Sequence, residues 1–199
     1  FYANIVFHGS QIFFNADKGA VTVDRYLMDT PDKGDGSLTG YNVWKWIDYD
    51  NYNYPYAGAS SPDFSTNWII LRYAEIYLND AEARLETGDV EGARKAVNVI
   101  RQRVGLPALT ESDPAKLREL IRKERRIEFA FEEQRFYDVR RWKVGPETQT
   151  TLHGVRFVSP TEFKITKTDI RTWNDRLYLT PIPHDEIVRS SVLTQNPGY

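Results

Sequence analysis

Cysteine is absent from the 199-residue sequence, which excludes disulfide bonds, thiolate metal sites and cysteine nucleophiles. Long apolar runs are absent too, because the longest, Trp68–Leu71, has four residues and a membrane-spanning helix needs about 20. An excess of one charge is also missing. The formal net charge is -2, so no general attraction to nucleic acid or anionic lipid is expected.

Motifs for metals, cofactors and common hydrolases are missing as well. The histidines His8, His153 and His184 are dispersed, and none has a partner at metal-ligand spacing. The sequence has no glycine-rich phosphate loop, no G-x-S-x-G turn and no H-E-x-x-H helix. We therefore expect neither a metal nor a cofactor.

Aromatic residues are abundant, at 14% of the chain. They concentrate in Tyr41–Tyr56, where seven of sixteen positions are Tyr or Trp, interleaved with Asn and Asp. Tyr and Trp combine a flat apolar face with a polar edge and are favoured at binding surfaces. The alternative is an aromatic core. Trp44 and Trp46 share one face of a strand predicted near Val43–Ile47, and at least one of them is expected to be buried.

The pattern divides the chain into three parts. Residues 1–66 are predicted to form loops and short strands, with Ile5–Phe7 and Ile12–Phe14 as a hairpin or two separate strands and Val21–Val23 as a further extended piece. Residues 67–145 are predicted to be helical. Residues 146–199 are predicted to be irregular or short-stranded and to pack back on the helices. They should include an extended segment at 177–180 and one helical turn at 185–189.

Three amphipathic helices are predicted in the middle part. The first covers Trp68–Thr87 and ends at Gly88, and the second covers Val90–Val104 with Asp89 as its N-cap. The third begins at Asp113 and Pro114 and continues as one helix to about Val139. The first two should pack antiparallel as a tetratricopeptide-like pair, with small Ala81 and Ala93 beside the turn. The predicted apolar faces contain Ile70, Ala74, Tyr77, Ala81 and Leu85, then Val90, Ala93, Val97, Ile100 and Val104, then Leu117, Leu120, Ile121, Ile127, Phe131 and Val139.

Charges interrupt the apolar face of the third helix. Arg118–Lys143 contains nine basic and six acidic residues, and Glu124 and Glu128 share the side of Ile121. An isolated buried ion would cost several kcal/mol, so a network of arginines and carboxylates is predicted. Paired catalytic glutamates are the alternative, because Glu124 and Glu128 lie one turn apart, but they would need an open cleft. A nucleic-acid surface is disfavoured because acidic residues interleave with the basic ones.

Four blocks of the sequence stand out: NWIILRYAEIYLNDAEARL at 67–85, ARKAVNVIRQRVGLP at 93–107, IRKERRIEFAFEEQRFYDVRRW at 121–142 and LTPIPHDEIVRSSVLTQNPGY at 179–199. In this order and spacing they resemble motifs of the SusD/RagB family of nutrient-binding lipoproteins. One departure is Glu133, where the family usually has glycine or another small residue, with no effect expected on the fold. The N-terminal FYANIVF has no initiator Met or signal peptide, and the chain is expected to be a C-terminal fragment of a longer member.

The resemblance implies a mainly α fold of tetratricopeptide-like helix pairs, a few short strands and an irregular, loop-rich ligand face. It also implies a protein that is not an enzyme. Such a lipoprotein of Bacteroidota captures oligosaccharide or polysaccharide at the extracellular face of the outer membrane. It delivers the glycan to a SusC-like, TonB-dependent transporter. Its membrane attachment would be a lipid anchor upstream of this chain. Alternatives are a peptide-binding member of the family, a helical-repeat adaptor that binds protein, and a carboxylate glycosidase.

The candidate ligand-binding residues follow from glycan chemistry. Aromatic rings stack on the C–H faces of sugars, and amide and carboxylate groups bond the hydroxyls. The residues chosen are Tyr49, Asn51, Tyr52, Asn53, Tyr54 and Tyr56 in the aromatic segment, and Trp173 in a polar loop.

Overall fold

The computed structural model describes residues 4–13, 20–23, 37, 39–46, 67–148 and 151–199. They belong to two compact units, a helical unit of residues 67–136 and a second unit formed by parts of 1–66 with 137–199. The fold is mainly helical, as the resemblance implied.

The helical unit contains α1 (Tyr73–Glu86), α2 (Val90–Arg103) and α3 (Pro114–Glu128), followed by the start of α4 (Gln134–Arg141). Ala81 and Ala93 are completely buried between α1 and α2, which confirms the predicted close approach. The core adds large side chains from all three helices, among them Leu78, Val97 and Leu117.

The helix ends confirm three capping predictions. Gly88 has a φ of 89°, the left-handed region that favours glycine, and its N–H donates to the carbonyl of Leu85. The Asp89 side chain accepts from the Gly92 N–H, and Asp113 accepts from the Lys116 N–H with Pro114 in the first turn.

The first two helices differ from prediction in phase and length. Arg72 is extended, so α1 begins at Tyr73 and leaves Ile70 85% exposed. Leu78, fully buried, holds the core position expected of Tyr77, which is only partly buried. The second helix ends at Arg103, and Val104 beyond it is exposed.

The third predicted helix is two helices. After α3 ends at Glu128, Phe131 and Glu133 adopt φ values of 64° and 63°, and α4 then begins at Gln134. Phe129 is buried, whereas Ile127 and Phe131 are exposed, contrary to prediction. Ile127 lies off the buried face of α3, which carries Leu117, Ile121, Glu124 and Arg125, and Phe131 lies in the break after that helix.

The described part of residues 1–66 contains four short strands. β1 (Ile5–Val6) pairs antiparallel with β4 (Asn42–Val43), and β2 (Gln11–Phe13) pairs antiparallel with β3 (Ala20–Thr22). The first two strands therefore take other partners and do not form one hairpin. The extended piece near Val21 is confirmed. The strand predicted near Val43–Ile47 is confirmed only at Val43, because β4 ends there and Trp44–Trp46 lie outside it.

The C-terminal part is more regular than predicted. A short α5 (Gly145–Thr148) precedes an antiparallel hairpin of β5 (Thr151–Phe157) and β6 (Phe163–Ile170). Residues Asp175–Tyr178 form a 3-10 turn that includes the first two positions of the extended segment expected at 177–180, whereas Leu179 is extended as expected. The helix α6 (His184–Arg189) confirms the helical turn. Gln195 then accepts from the Ile182 N–H and donates to the Ile182 carbonyl, which anchors the chain end to the segment between two prolines.

Candidate functional site

The acidic residues of α3 meet arginines from α2. Glu124 is buried, and its Oε2 accepts a hydrogen bond from Arg101 Nη1 at 2.6 Å. Glu128 Oε1 accepts from Arg103 Nη2, also at 2.6 Å. Both contacts join residues that lie more than twenty positions apart, so they link separate helices.

Arg72, which directly precedes α1, binds two carboxylates at once. Its Nε and Nη2 donate to the two oxygens of Glu132 at 2.7 and 3.0 Å. Its Nη1 donates to Glu128 Oε1, and Nη2 also donates to the Glu128 carbonyl at 2.8 Å. The guanidinium lies 4.5 Å above the ring of Phe129. This planar fork is geometry that a lysine could not reproduce.

Burial lowers the pKa of Arg72, but its hydrogen bonds to Glu132 and Glu128 outweigh burial and leave the pKa above its usual value. The Arg72 guanidinium therefore stays charged, and Glu132 and Glu128 stay paired with a cation.

Arg125 forms the other centre of pairing. It is 3% exposed and donates to Asn79 Oδ1 at 2.8 Å and to Gln134 Oε1 at 3.3 Å. Glu75 lies 3.8 Å from its guanidinium and accepts from Gln134 Nε2. We call these contacts together the arginine–carboxylate network, whose members are Arg72, Arg101, Arg103, Arg125, Glu75, Glu124, Glu128 and Glu132.

The sequence predicted that arginines and carboxylates form a network, but it did not identify all the residues in it. The charge pattern indicated Glu124 and Glu128, whereas Arg72, Arg101 and Arg103 lie outside the charged run. A usable signal was present, since Arg72 belongs to the LRYAE block and Arg101 and Arg103 to the IRQRVGLP block. The three sequence blocks carry the charges that meet in space.

The geometry does not fit a pair of catalytic carboxylates. The side chains of Glu124 and Glu128 are 8% and 10% exposed, and each is bound to at least one arginine. Retaining and inverting glycosidases need two carboxyls facing a cleft that admits substrate. Here the space beside the carboxylates is filled by guanidinium groups.

Trp173 is packed against protein on several sides. A Cβ atom at Gly145 would lie 2.1 Å from the indole, so the ring rests directly on that backbone. The Tyr178 ring centroid is 4.8 Å away, and the Arg140 guanidinium is 5.9 Å from the ring. The indole is only half-buried, so its predicted ligand contact stays a prediction.

The other predicted site residues, Tyr49, Asn51, Tyr52, Asn53, Tyr54 and Tyr56, lie outside the described residues. Their role stays a prediction. Of the aromatic residues in the segment, Tyr41, Trp44 and Trp46 are described. Tyr41 is exposed and both indoles are half-buried, so the expectation that at least one indole is buried was wrong.

The described parts of the chain contain neither a metal-binding cluster nor a membrane-spanning helix. No cluster of three or more His, Asp or Glu side chains there could hold a metal ion. No helix among the same residues has the length and apolar character needed to cross a bilayer.

Comparison with known proteins identifies the family of the chain. The family model described as SusD family matches residues 1–199. The chain belongs to the SusD family. Among SusD-like relatives, SusD-like protein P2 of Formosa agariphila is 36% identical over 154 residues, covering 72% of this chain and 28% of that protein.

Solved SusD-like structures share the fold. A SusD-like protein from Bacteroides fragilis is 94% identical, with a TM-score of 0.90 over 100% of this chain and 38% of that one. A SusD-like carbohydrate binding protein from the same species is 26% identical, with a TM-score of 0.70 over 92% of this chain and 39% of that one. The chain thus spans well under half the length of these relatives.

Proposed function

We propose that this chain is part of a SusD-like protein that captures oligosaccharide or polysaccharide without catalysis at the extracellular face of the outer membrane. The bound glycan is then delivered to a SusC-like, TonB-dependent transporter. The observation that carries the proposal is the family match over residues 1–199, together with a structural relative described as carbohydrate binding.

The arginine–carboxylate network supports the absence of catalysis. A glycosidase needs a protonated acid and a second carboxylate beside the scissile bond. In the helical unit the buried carboxylates are bound by arginines and serve to join helices. Ligand contact is assigned instead to the aromatic segment, where Tyr52, Asn53 and Tyr54 combine stacking rings with a hydrogen-bonding amide.

Calorimetric titration of the full-length protein with a glycan panel tests the proposal. We expect binding to at least one oligosaccharide, and Tyr52→Ala and Tyr54→Ala should each weaken it at least about tenfold. Tyr73→Ala is the matched control, because Tyr73 is 70% exposed on α1 and is expected to leave affinity unchanged. Binding of peptides with no binding of any glycan would favour a peptide-binding member of the family.

The transporter partner is tested separately. Affinity purification of the full-length lipoprotein from its own outer membrane should recover a TonB-dependent barrel protein in stoichiometric amount. Recovery of the lipoprotein alone, under detergent conditions that keep other outer-membrane complexes intact, would argue against delivery to such a transporter.

A further inference from the structure

A small pocket lies in the second unit, beside the strand pair β1–β4. Its cavity volume is about 240 Å³, and one wall is apolar, formed by Ile5, Val6 and Phe7. Pockets for drug-sized ligands measure about 300–1,000 Å³, so this one suits a single small ring.

Trp44 supplies the aromatic wall of the pocket. Trp44 follows β4 directly, and its backbone N–H donates to the Asn4 carbonyl at 2.8 Å. The pairing of Ile5 with Val43 extends the same ladder. The strand pair therefore fixes the Trp44 backbone beside the pocket, which the Trp44 residue lines. Because Trp44 is half-buried, part of it remains accessible.

Polar groups complete the lining at the turn after β1. Ser10 Oγ accepts the Phe7 N–H at 3.0 Å, which fixes the oxygen and leaves the hydroxyl proton available to a ligand. Gln11 is exposed and presents an amide that can both donate and accept. The turn is tied by Ser10 N–H to the Phe7 carbonyl at 3.0 Å and by Gly9 N–H to the Val23 carbonyl at 2.9 Å.

The chemistry of the lining selects the ligand class. The lining side chains among the described residues are uncharged, so none of them balances a phosphate, sulfate or uronic-acid carboxylate. An indole face, a hydroxyl and an amide on a preformed frame are suited to the C–H face and hydroxyls of a neutral sugar. The backbone of the strand pair and the turn is already ordered, and Ser10 Oγ is held by the Phe7 N–H, which lowers the ordering cost of binding.

We propose that this pocket is a subsite for one neutral sugar residue of the captured glycan, with Trp44 as the stacking platform and Ser10 and Gln11 as hydrogen-bonding groups. The proposal rests on the proposed glycan-binding function and adds a location and a charge class for one subsite.

The test uses the full-length protein and a panel of neutral oligosaccharides built on glucose, mannose, galactose or xylose, with a uronic-acid oligosaccharide for comparison. Affinity is measured by calorimetry for wild type, Trp44→Ala and Gln11→Ala. The controls are Trp68→Ala, an indole in the helical unit and not at the pocket, and Gln102→Ala, an exposed amide on α2. Melting temperatures are recorded for every variant.

We expect Trp44→Ala to weaken binding of a neutral glycan at least about tenfold and Gln11→Ala about threefold or more, with both controls unchanged. If Trp44→Ala lowers the melting temperature, its weaker binding could reflect misfolding, and Gln11→Ala then tests the subsite. The Gln11 side chain is exposed, so its removal should leave the fold intact. Wild-type binding that neither variant weakens overturns the subsite and leaves the proposed function standing. Variant-sensitive binding of the uronic-acid glycan alone overturns the neutral class, and no glycan binding by wild type overturns both proposals.

Discussion

Arg72 compensates the charges of two carboxylates within the packed helical unit. Its guanidinium neutralises Glu132 in a two-bond contact and shares Glu128 with Arg103. Removing one partner of such a pair leaves a buried ion without compensation, which costs more than the pair itself contributes.

We therefore expect Arg72→Met, which keeps the aliphatic stem, to lower the free energy of unfolding by about 3 kcal/mol. The estimate is at the low end because the Arg72 side chain is 23% exposed. Urea unfolding of the intact protein measures it. Lys95→Met removes an exposed pair with Glu91 and should change little. Adding Glu132→Gln to Arg72→Met should recover part of the loss, and equal stability of Arg72→Met and wild type would contradict the account.

Glu133 is a residue in a conformation that its side chain disfavours. Its φ of 63° lies where a Cβ atom costs about 1–2 kcal/mol, and the family resemblance places a glycine or small residue there. Glycine removes that strain but loses more entropy on folding, by about 0.5–1 kcal/mol.

The net expectation is that Glu133→Gly stabilises the protein by about 0.5–1 kcal/mol, measured as a higher urea midpoint. Glu119→Gly is the control of opposite sign, because Glu119 is exposed within α3 and glycine there should destabilise by about 0.5–1 kcal/mol. Destabilisation by both substitutions would show that Glu133 makes a stabilising contact that outweighs its strain.

At the scale of elements, the seam between α1 and α2 depends on side-chain size. Ala81 and Ala93 are both 0% exposed, so the helices meet at a point with no room for a larger group. We expect Ala93→Leu to destabilise by at least about 1–3 kcal/mol through overpacking. Ala83→Leu, exposed on α1, should be nearly neutral. A thermal unfolding series compares the two, and equal effects would contradict the seam.

Carboxylates at the helix ends should make stability depend on acid. A hydrogen bond from Arg118 lowers the pKa of Glu86, and the Gly92 N–H, with Arg84, lowers the pKa of Asp89. Because both pKa values are depressed by folding, the stability they contribute is full above about pH 5 and is lost as the pH falls toward about 3.

The melting temperature should thus fall between about pH 5 and 3, and by less in Asp89→Asn, which keeps a capping side chain without the titrating charge. Arg118→Met should also flatten the profile by freeing Glu86. An unchanged profile in both variants would assign the acid sensitivity to other groups.

Local signals predicted the helices and their caps, because Gly88, Asp89 and Asp113 act within a few residues of chain. The break after α3 was missed because Phe131 and Glu133 adopt left-handed backbone without the glycine that would have marked it. The β5–β6 hairpin was missed because β6 is mostly exposed and lacks an alternating apolar pattern. The pocket beside Trp44 depends on strand pairing between residues that lie far apart in the sequence, which no local pattern reveals.

At the scale of the whole molecule, exposed apolar residues and the greater length of the relatives both bear on whether residues 1–199 stay monomeric. Trp68, Ile70 and Leu71 are 56%, 85% and 66% exposed, and the chain covers only 38% of a solved structure that is 94% identical to it. We expect residues 1–199 produced alone to self-associate, and Ile70→Lys with Leu71→Lys to reduce that association. Light scattering after gel filtration would show it, and a monomer at all concentrations would contradict it.

The contacts of Arg72 also have a consequence for the order in which the helical unit assembles. Arg72 and Glu132 are separated by 60 positions, so their hydrogen bonds form only when a long loop has closed. An interaction that appears after the rate-limiting step slows unfolding without speeding folding. Arg72→Met should therefore increase the unfolding rate and leave the refolding rate almost unchanged. Arg72 would then contribute to the kinetic stability of the helical unit, that is, to the lifetime of its folded state.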